Sequence, residues 1–270
     1  MAGTGPGTAA SITVSTVNVN GIRAAVRKGF DRWLVGTEAD VVCVQECRAL
    51  PEEFPALPEG WLLHHAPSAT KGRNGVGVLT RVPPEAVRTG FGSTEFDGSG
   101  RYLEVDLPGL TVASLYLPNG TVDTPKQAEK DRFLAEFAPY LTERAAKAAA
   151  EDRQVVVCGD WNIAHTEADI RNWRGNRRSS GFLPHERAWV AEVLESGWTD
   201  VVRALHPGVD GPYSWWSYRG RAFDNDTGWR IDYQLATPGL ADRAASARVE
   251  RAAEHALRWS DHAPVTVTYS

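Results

Sequence analysis

Short β-branched runs recur along this chain from residue 12 to residue 269; three of them stop at acid or amide side chains, and the last is preceded by an Asp-His pair. The runs cover 12–19, 41–44, 75–80, 102–107, 111–117, 155–158, 230–236 and 265–269, each the length of one strand. Side chains on a strand repeat with period two. On that spacing Val14, Thr16, Asn18 and Asn20 share a face, as do Val42, Val44 and Glu46, and Val156, Cys158, Asp160 and Asn162. Each face is apolar at first and polar at its carboxyl end. Asp261 and His262 lie between Ser260 and Pro264, residues that favour turns. Neighbouring side chains on a regular strand diverge, so only a turn lets this acid and this histidine face one site.

Helical periodicity is strongest at 22–36, 125–150 and 184–196. Thr124-Pro125 supplies an N-cap followed by proline at the first helical position, and Pro184 opens the third helix. Strand and helix signals mix from end to end without a Ser/Gly linker. The expectation is one α/β domain over residues 11–270 with at least two sheets. Residues 1–10, MAGTGPGTAA, read as a disordered tail; they lack the basic and apolar stretches of a secretion leader. No run approaches the roughly 18–20 apolar residues that cross a bilayer, so no membrane association is expected. Cys43, Cys47 and Cys158 form an odd set, read as reduced thiols in a cytoplasmic protein.

The polar strand ends carry the chemistry. Crowded carboxylates repel and raise one another's pKa, and a divalent cation relieves that repulsion. Oxygen ligands from Glu, Asp and Asn suit Mg²⁺, with Mn²⁺ as a substitute, and do not suit zinc. Mg²⁺ keeps several waters and bridges to substrate phosphates, so the expected chemistry is metal-assisted phosphoester hydrolysis. The net charge of −5 argues against a polyanionic partner, but residues 171–187 hold five arginines against the single acid Glu186. A local basic patch binds phosphate whatever the overall charge.

The segments VNVNGIRA (17–24), VQE (44–46), LYLPNG (115–120), GDWNIAH (159–165), DIRNWRGNRRSSGFLPHER (169–187), GWRIDYQLA (228–236) and SDHAP (260–264) resemble, in order, exonuclease III and the abasic-site (AP) endonucleases of the endonuclease/exonuclease/phosphatase superfamily. The resemblance implies a four-layered α/β sandwich: two packed mixed β-sheets flanked by helices. It implies a Mg²⁺-dependent base excision repair nuclease that cuts the phosphodiester 5′ to abasic sites, with 3′-phosphodiesterase and 3′-5′ exonuclease activity. Its substrate would be double-stranded DNA with abasic or 3′-blocked sites, met by a monomer in the bacterial cytoplasm.

Residue by residue, the resemblance implies a metal at Glu46, Asn20 and Asp261, with Asp160 and Asn162 available to a second ion. Asp160 and Asn162 would handle the attacking water, and His262, held by Asp232, would meet the phosphate. Tyr116 and Asn119 would lie against that phosphate, and Asn18 would support the cluster. Trp215, Trp229 and Ile231 would line a pocket for an extruded abasic sugar, whose missing base lowers the cost of extrusion. Arg171, Asn172, Arg174, Asn176, Arg177 and Arg178 would grip the DNA backbone without reading sequence. Arg219 stands where some relatives place a bulky wedge. A small-molecule phosphatase would not need the Arg-rich and Trp-rich loops. A DNA-binding protein without catalysis would gain nothing from carboxylates crowded against a polyanion.

Overall fold

The computed structural model describes residues 11–270; the expected tail over residues 1–10 lies outside the described residues. Twelve strands are described: β1 (Ile12–Asn18), β2 (Val41–Gln45), β3 (Leu62–Ala66), β4 (Val76–Thr80), β5 (Ala86–Thr89), β6 (Tyr102–Leu107), β7 (Leu110–Tyr116), β8 (Gln154–Asp160), β9 (Thr199–Asp200), β10 (Asp232–Ala236), β11 (Ala244–Val249) and β12 (Val265–Tyr269). They form two six-stranded sheets, in the orders β11-β12-β1-β2-β4-β3 and β5-β6-β7-β8-β10-β9. Both are mixed: β1 runs parallel to β2 and β7 parallel to β8, while the other pairs are antiparallel.

Alternation along the central strands builds the layers. Val14 of β1, Cys43 of β2, Val112 of β7 and Val156 and Cys158 of β8 point into the seam between the sheets. Their neighbours point outward. Ala113, Val155 and Val157 pack under Phe133, Phe137 and Leu141 of the long helix Pro125–Ala150 and Val190 and Val193 of the helix Pro184–Glu195. Val17, Val42 and Val44 pack under Ile22, Phe30 and Leu34 of the helices Ile22–Lys28 and Phe30–Gly36. The result is helix, sheet, sheet, helix, as the resemblance implied. All three cysteines are buried and free. No helix among the described residues is long and apolar enough to cross a membrane.

Two expectations need correction. The single helix over 22–36 is two, interrupted at Gly29, whose φ of 117° leaves helical geometry. Four strands gave no clear signal: β3, β5, β9 and β11. All four stand at sheet edges and are mostly half-exposed or exposed. An edge strand has no need to bury both faces, so its hydrophobic pattern is weak.

Candidate active site

The carboxyl ends of β1, β2, β7 and β8 and the amino ends of β10 and β12 meet at one end of the sandwich, where polar side chains bridge the sheets. Asp160 closes β8, and Asp232 opens β10 directly across the ladder from it. Asn18, last in β1, donates from Nδ2 to Asp160 Oδ2 at 2.9 Å. Its Oδ1 accepts the Asn20 amide at 2.9 Å. Asn20 Nδ2 in turn donates to Asp261 Oδ1 at 2.8 Å, and Trp215 Nε1 donates to Asp261 Oδ2 at 3.1 Å. The Ser260 hydroxyl donates to the Asn18 carbonyl at 2.6 Å and accepts the His262 amide at 3.2 Å. That pair of bonds makes the turn on which Asp261 and His262 share one site.

Behind the mouth lies a buried array. His262 Nδ1 donates to Asp232 Oδ2 at 2.8 Å, and its Nε2 faces Asp160 Oδ2 at 3.7 Å. Asp160 Oδ1 accepts the Asn162 amide at 3.0 Å, while Asn162 Nδ2 donates to the Leu117 carbonyl at 2.9 Å. Burial raises the Asp160 pKa, reinforced by the Asp232 and Glu46 charges and opposed by His262. Burial works against a charged His262, but Asp232 and Asp160 outweigh it and hold the imidazolium at a raised pKa. Asp232 Oδ1 is buried without a hydrogen-bond partner.

Glu46 takes the Tyr116 hydroxyl on one carboxylate oxygen and the Arg48 guanidinium on the other. Its position is not the one that strand alternation gives. Period two puts Glu46 with Val42 and Val44, and that face lies under the helices. The chain leaves strand geometry at Glu46, with φ 51°, and the turn carries the carboxylate to the mouth. Asn20 (φ 47°) and Asn162 (φ 51°) also lie beyond their strands, in the left-handed region that Asn tolerates better than most residues.

A cavity of about 390 Å³ collects these groups. Asn18, Asn20, Glu46, Asn119, Asp160, Asn162, Asp261 and His262 line it, together with Trp215, Trp229 and Ile231. Trp215 and Trp229 meet edge to face, centroids 6.0 Å apart. Two groups of residues could hold a metal. Glu46, Asp261 and Asn20 border the open cavity. Asp160, Asp232 and His262 offer ligand atoms within 4.8 Å of one another, all buried.

Other expected residues lie apart. Asp232 does not line the cavity; it sits behind His262. Tyr116 faces a neighbouring groove of about 1010 Å³ that shares Glu46, Arg48 and Asn119 with the cavity. Arg171, Asn172, Arg174, Asn176, Arg177 and Arg178 are outside the cavity, on and around the short helix Trp173–Asn176. Arg171 pairs with Asp210 at 3.6 Å, and the guanidiniums of Arg174 and Arg177 cover the Trp173 ring at 4.4 and 4.5 Å. Asn176 Nδ2 bonds the Asn172 carbonyl, so this amide pair shapes its own turn. Arg219 is exposed and lines neither space. Sequence reasoning missed Arg48, Ser179 and Ser180, which line the cavity. The one legible signal was a base two residues after the Glu46 acid.

Residues 15–262 match the endonuclease/exonuclease/phosphatase family. The DNA repair nuclease APEX1 of Danio rerio is 32% identical over 97% of this chain and 83% of its own. The exodeoxyribonuclease of Bacillus subtilis is 32% identical over 92% of this chain and 95% of its own. The structure of an AP endonuclease from Archaeoglobus fulgidus superposes with a TM-score of 0.83 at 30% identity, covering 96% of this chain and 99% of that one. Sequence, layered fold and strand-end constellation agree, and the chain belongs to the endonuclease/exonuclease/phosphatase family.

Proposed function

We infer that this protein is a DNA repair nuclease of the exonuclease III and AP endonuclease branch, its single catalytic domain spanning residues 11–270. Its substrate is double-stranded DNA carrying abasic or 3′-blocked sites, and it acts as a cytoplasmic monomer in base excision repair. The observation that carries this reading is one cavity lined both by the carboxylate and imidazole groups and by the apolar cluster of Trp215, Trp229 and Ile231. Aromatic rings beside hydrolytic groups suit an extruded sugar without its base, because no stacking or pairing of that base has to be broken.

Glu46, Asp261 and Asn20 are the assigned seat for Mg²⁺ or Mn²⁺. Their donors are oxygens, their hydrogen bonds fix the carboxylates in place, and they border open space that a partly hydrated ion needs. The Asp160–Asp232–His262 group is buried, and Nδ1 of its histidine is committed to Asp232. A bound cation supplies charge neutralisation at the phosphate.

The remaining work falls to the chain. Asp160, raised toward neutrality by burial, accepts a proton from the attacking water, and Asn162 holds that water and a phosphate oxygen in line. The new bond forms from water oxygen to phosphorus as the bond from phosphorus to the 3′ oxygen breaks. The leaving oxygen takes a proton from solvent water and becomes a 3′-hydroxyl 5′ to the lesion, and Asp160 returns its proton to solvent. His262, kept as imidazolium by Asp232, faces the negative charge that builds on the phosphate. The same centre removes 3′-blocking groups and nucleotides from 3′ ends.

The test uses a duplex with one tetrahydrofuran abasic analogue, with Mg²⁺ or with EDTA. Expected is Mg²⁺-dependent nicking at the lesion, reduced by at least about 10²-fold in Asp160→Asn and in His262→Ala. Binding without nicking, or activity confined to small phosphate esters, overturns the reading.

A further inference from the structure

Lys130 of the long helix and Glu186 of the helix Pro184–Glu195 form an ion pair of 2.8 Å in which both side chains are 0% exposed. Burying two charges costs about as much as their attraction returns, and well-packed apolar residues often serve stability as well or better. The pair's other contacts suggest what it does. Lys130 Nζ donates to the Asn162 carbonyl at 2.9 Å. Asn162 lines the cavity, and its amide holds Asp160. Glu186 accepts from the Gly181 amide at 2.6 Å, the Leu183 amide at 3.0 Å, the Ser180 hydroxyl at 3.2 Å and Gln127 Nε2 at 3.1 Å.

Those bonds fold residues 179–183 over the cavity, where Ser179 and Ser180 line the wall. Gly181 is wedged there with φ 90°; a Cβ on it would lie 2.9 Å from the Asn162 carbonyl oxygen and 3.0 Å from the Trp229 ring. The Gly181 carbonyl also accepts the Ala164 amide at 2.8 Å. Arg177 and Arg178 immediately precede this segment. One buried ion pair thus touches the loop that follows the arginines, the turn that presents Asn162, and through that turn Asp160.

We propose that Lys130 and Glu186 are positioning residues that tie the backbone-gripping arginine segment to the placement of Asn162 and Asp160, so that docking of DNA and alignment of the hydrolytic groups are one event. This rests on the nuclease reading above. Contacts to backbone phosphates supply a large share of a protein's affinity for DNA, and neither Lys130 nor Glu186 lines the cavity, so the pair acts on kcat and not on KM; a displacement of about 1 Å at reacting groups costs as much as about 10²-fold in rate.

The test is the paired replacement Lys130→Met with Glu186→Gln, which removes both charges together and keeps an acceptor oxygen for the Gly181 and Leu183 amides. Expected on the abasic duplex with Mg²⁺ is a urea midpoint close to wild type, KM within about twofold, and kcat lower by about tenfold or more. A kcat equal to wild type, or a loss confined to KM, overturns the proposal. If the paired variant does not fold, the same question is put to the wild-type protein by amide exchange with an uncleavable abasic duplex. Slowing of the Ala164, Gly181 and Leu183 amides by about fivefold or more supports the link, and unchanged exchange overturns it. Failure of the wild-type protein to nick the abasic duplex condemns the nuclease reading instead.

Discussion

Gly159→Ala is the sharpest single test of how the fold sets the site. Gly159 precedes Asp160 on β8 and lies opposite Leu115 in the parallel ladder with β7. Its φ is 145°, and a Cβ built there would stand 1.9 Å from the Leu115 carbonyl oxygen, 2.8 Å from its carbon and 2.9 Å from its nitrogen. All three are backbone atoms, so no side-chain rotation relieves the clash. An ordinary carbon–oxygen contact needs about 3.3 Å, so β8 must withdraw from β7 by more than about 1 Å. The backbone conformation costs about 1–3 kcal/mol and the overpacking about 1–3 kcal/mol, giving a loss of about 2–6 kcal/mol, a large part of a typical domain's stability. The movement falls on Asp160, whose carbonyl accepts the Leu117 amide at 2.9 Å and whose carboxylate meets Asn18. Urea unfolding and single-turnover nicking should therefore both suffer, the second by about 10²-fold in whatever fraction stays folded. Gly36→Ala is the control, because nothing lies within 4 Å of its added methyl. A Gly159→Ala protein within about 1 kcal/mol of wild type and with an unchanged rate would refute the argument.

Two further outcomes are expected. Replacing Arg174, Arg177 and Arg178 together by Ala should weaken duplex binding and flatten the slope of log affinity against log salt by about 0.9 for each phosphate no longer neutralised, about 2.7 if every one of the three arginines neutralises a phosphate; an unchanged slope in filter-binding titrations would remove the segment from the DNA interface. Asp169 is buried, which alone would raise its pKa, but Arg230 and Arg203 outweigh burial and hold it well below the usual carboxylate range. A depressed carboxylate contributes stability fully above the unfolded-state pKa of about 3.9 and loses it as pH falls toward the folded value. The stability gap between wild type and Asp169→Asn, read by urea unfolding, should hold at neutral pH and shrink steadily below about pH 5; a gap that stays constant to acid pH would contradict that sign.

The legible part of the fold was the part governed by a simple period. β6 and β12 occupy the residues their patterns indicate, and the long helix does too, because its proline start follows a capping threonine that accepts the Lys126 amide at 3.3 Å. Asp160 was legible for the same reason: it is the last regular residue of a strand whose inward face is Val156 and Cys158. Glu46, Asn20 and Asn162 reach the mouth through left-handed turns, which no two-residue period describes. Their presence there was readable from composition and resemblance, but their route was not. The Lys130–Glu186 pair and the Asp169–Arg230–Asp200 cluster join residues far apart in sequence, and each partner alone looks like an ordinary surface charge. The arginine segment was visible as charge, but its stacking on Trp173 depends on a single turn of helix with a weak signal of its own.

The mouth of the sandwich draws its acids, amides and histidine from both halves: Asn18, Glu46 and His262 belong to strands of one sheet or their ends, Asp160 and Asp232 to the other. The seam beneath is cross-linked by polar bonds, with Gln234 Nε2 reaching the Val14 and Val265 carbonyls at 2.9 and 3.0 Å and Gln45 Nε2 reaching Ser114 at 3.0 Å. An oily seam tolerates slippage because dispersion has no direction, whereas these amides fit a single alignment. A slide of one strand residue, about 3.3 Å, would part Asn18 from Asp160 and His262 from Asp232 at the same moment. The two halves therefore work like the jaws of a vice locked at one setting, and hydrolysis itself reports whether the lock has held.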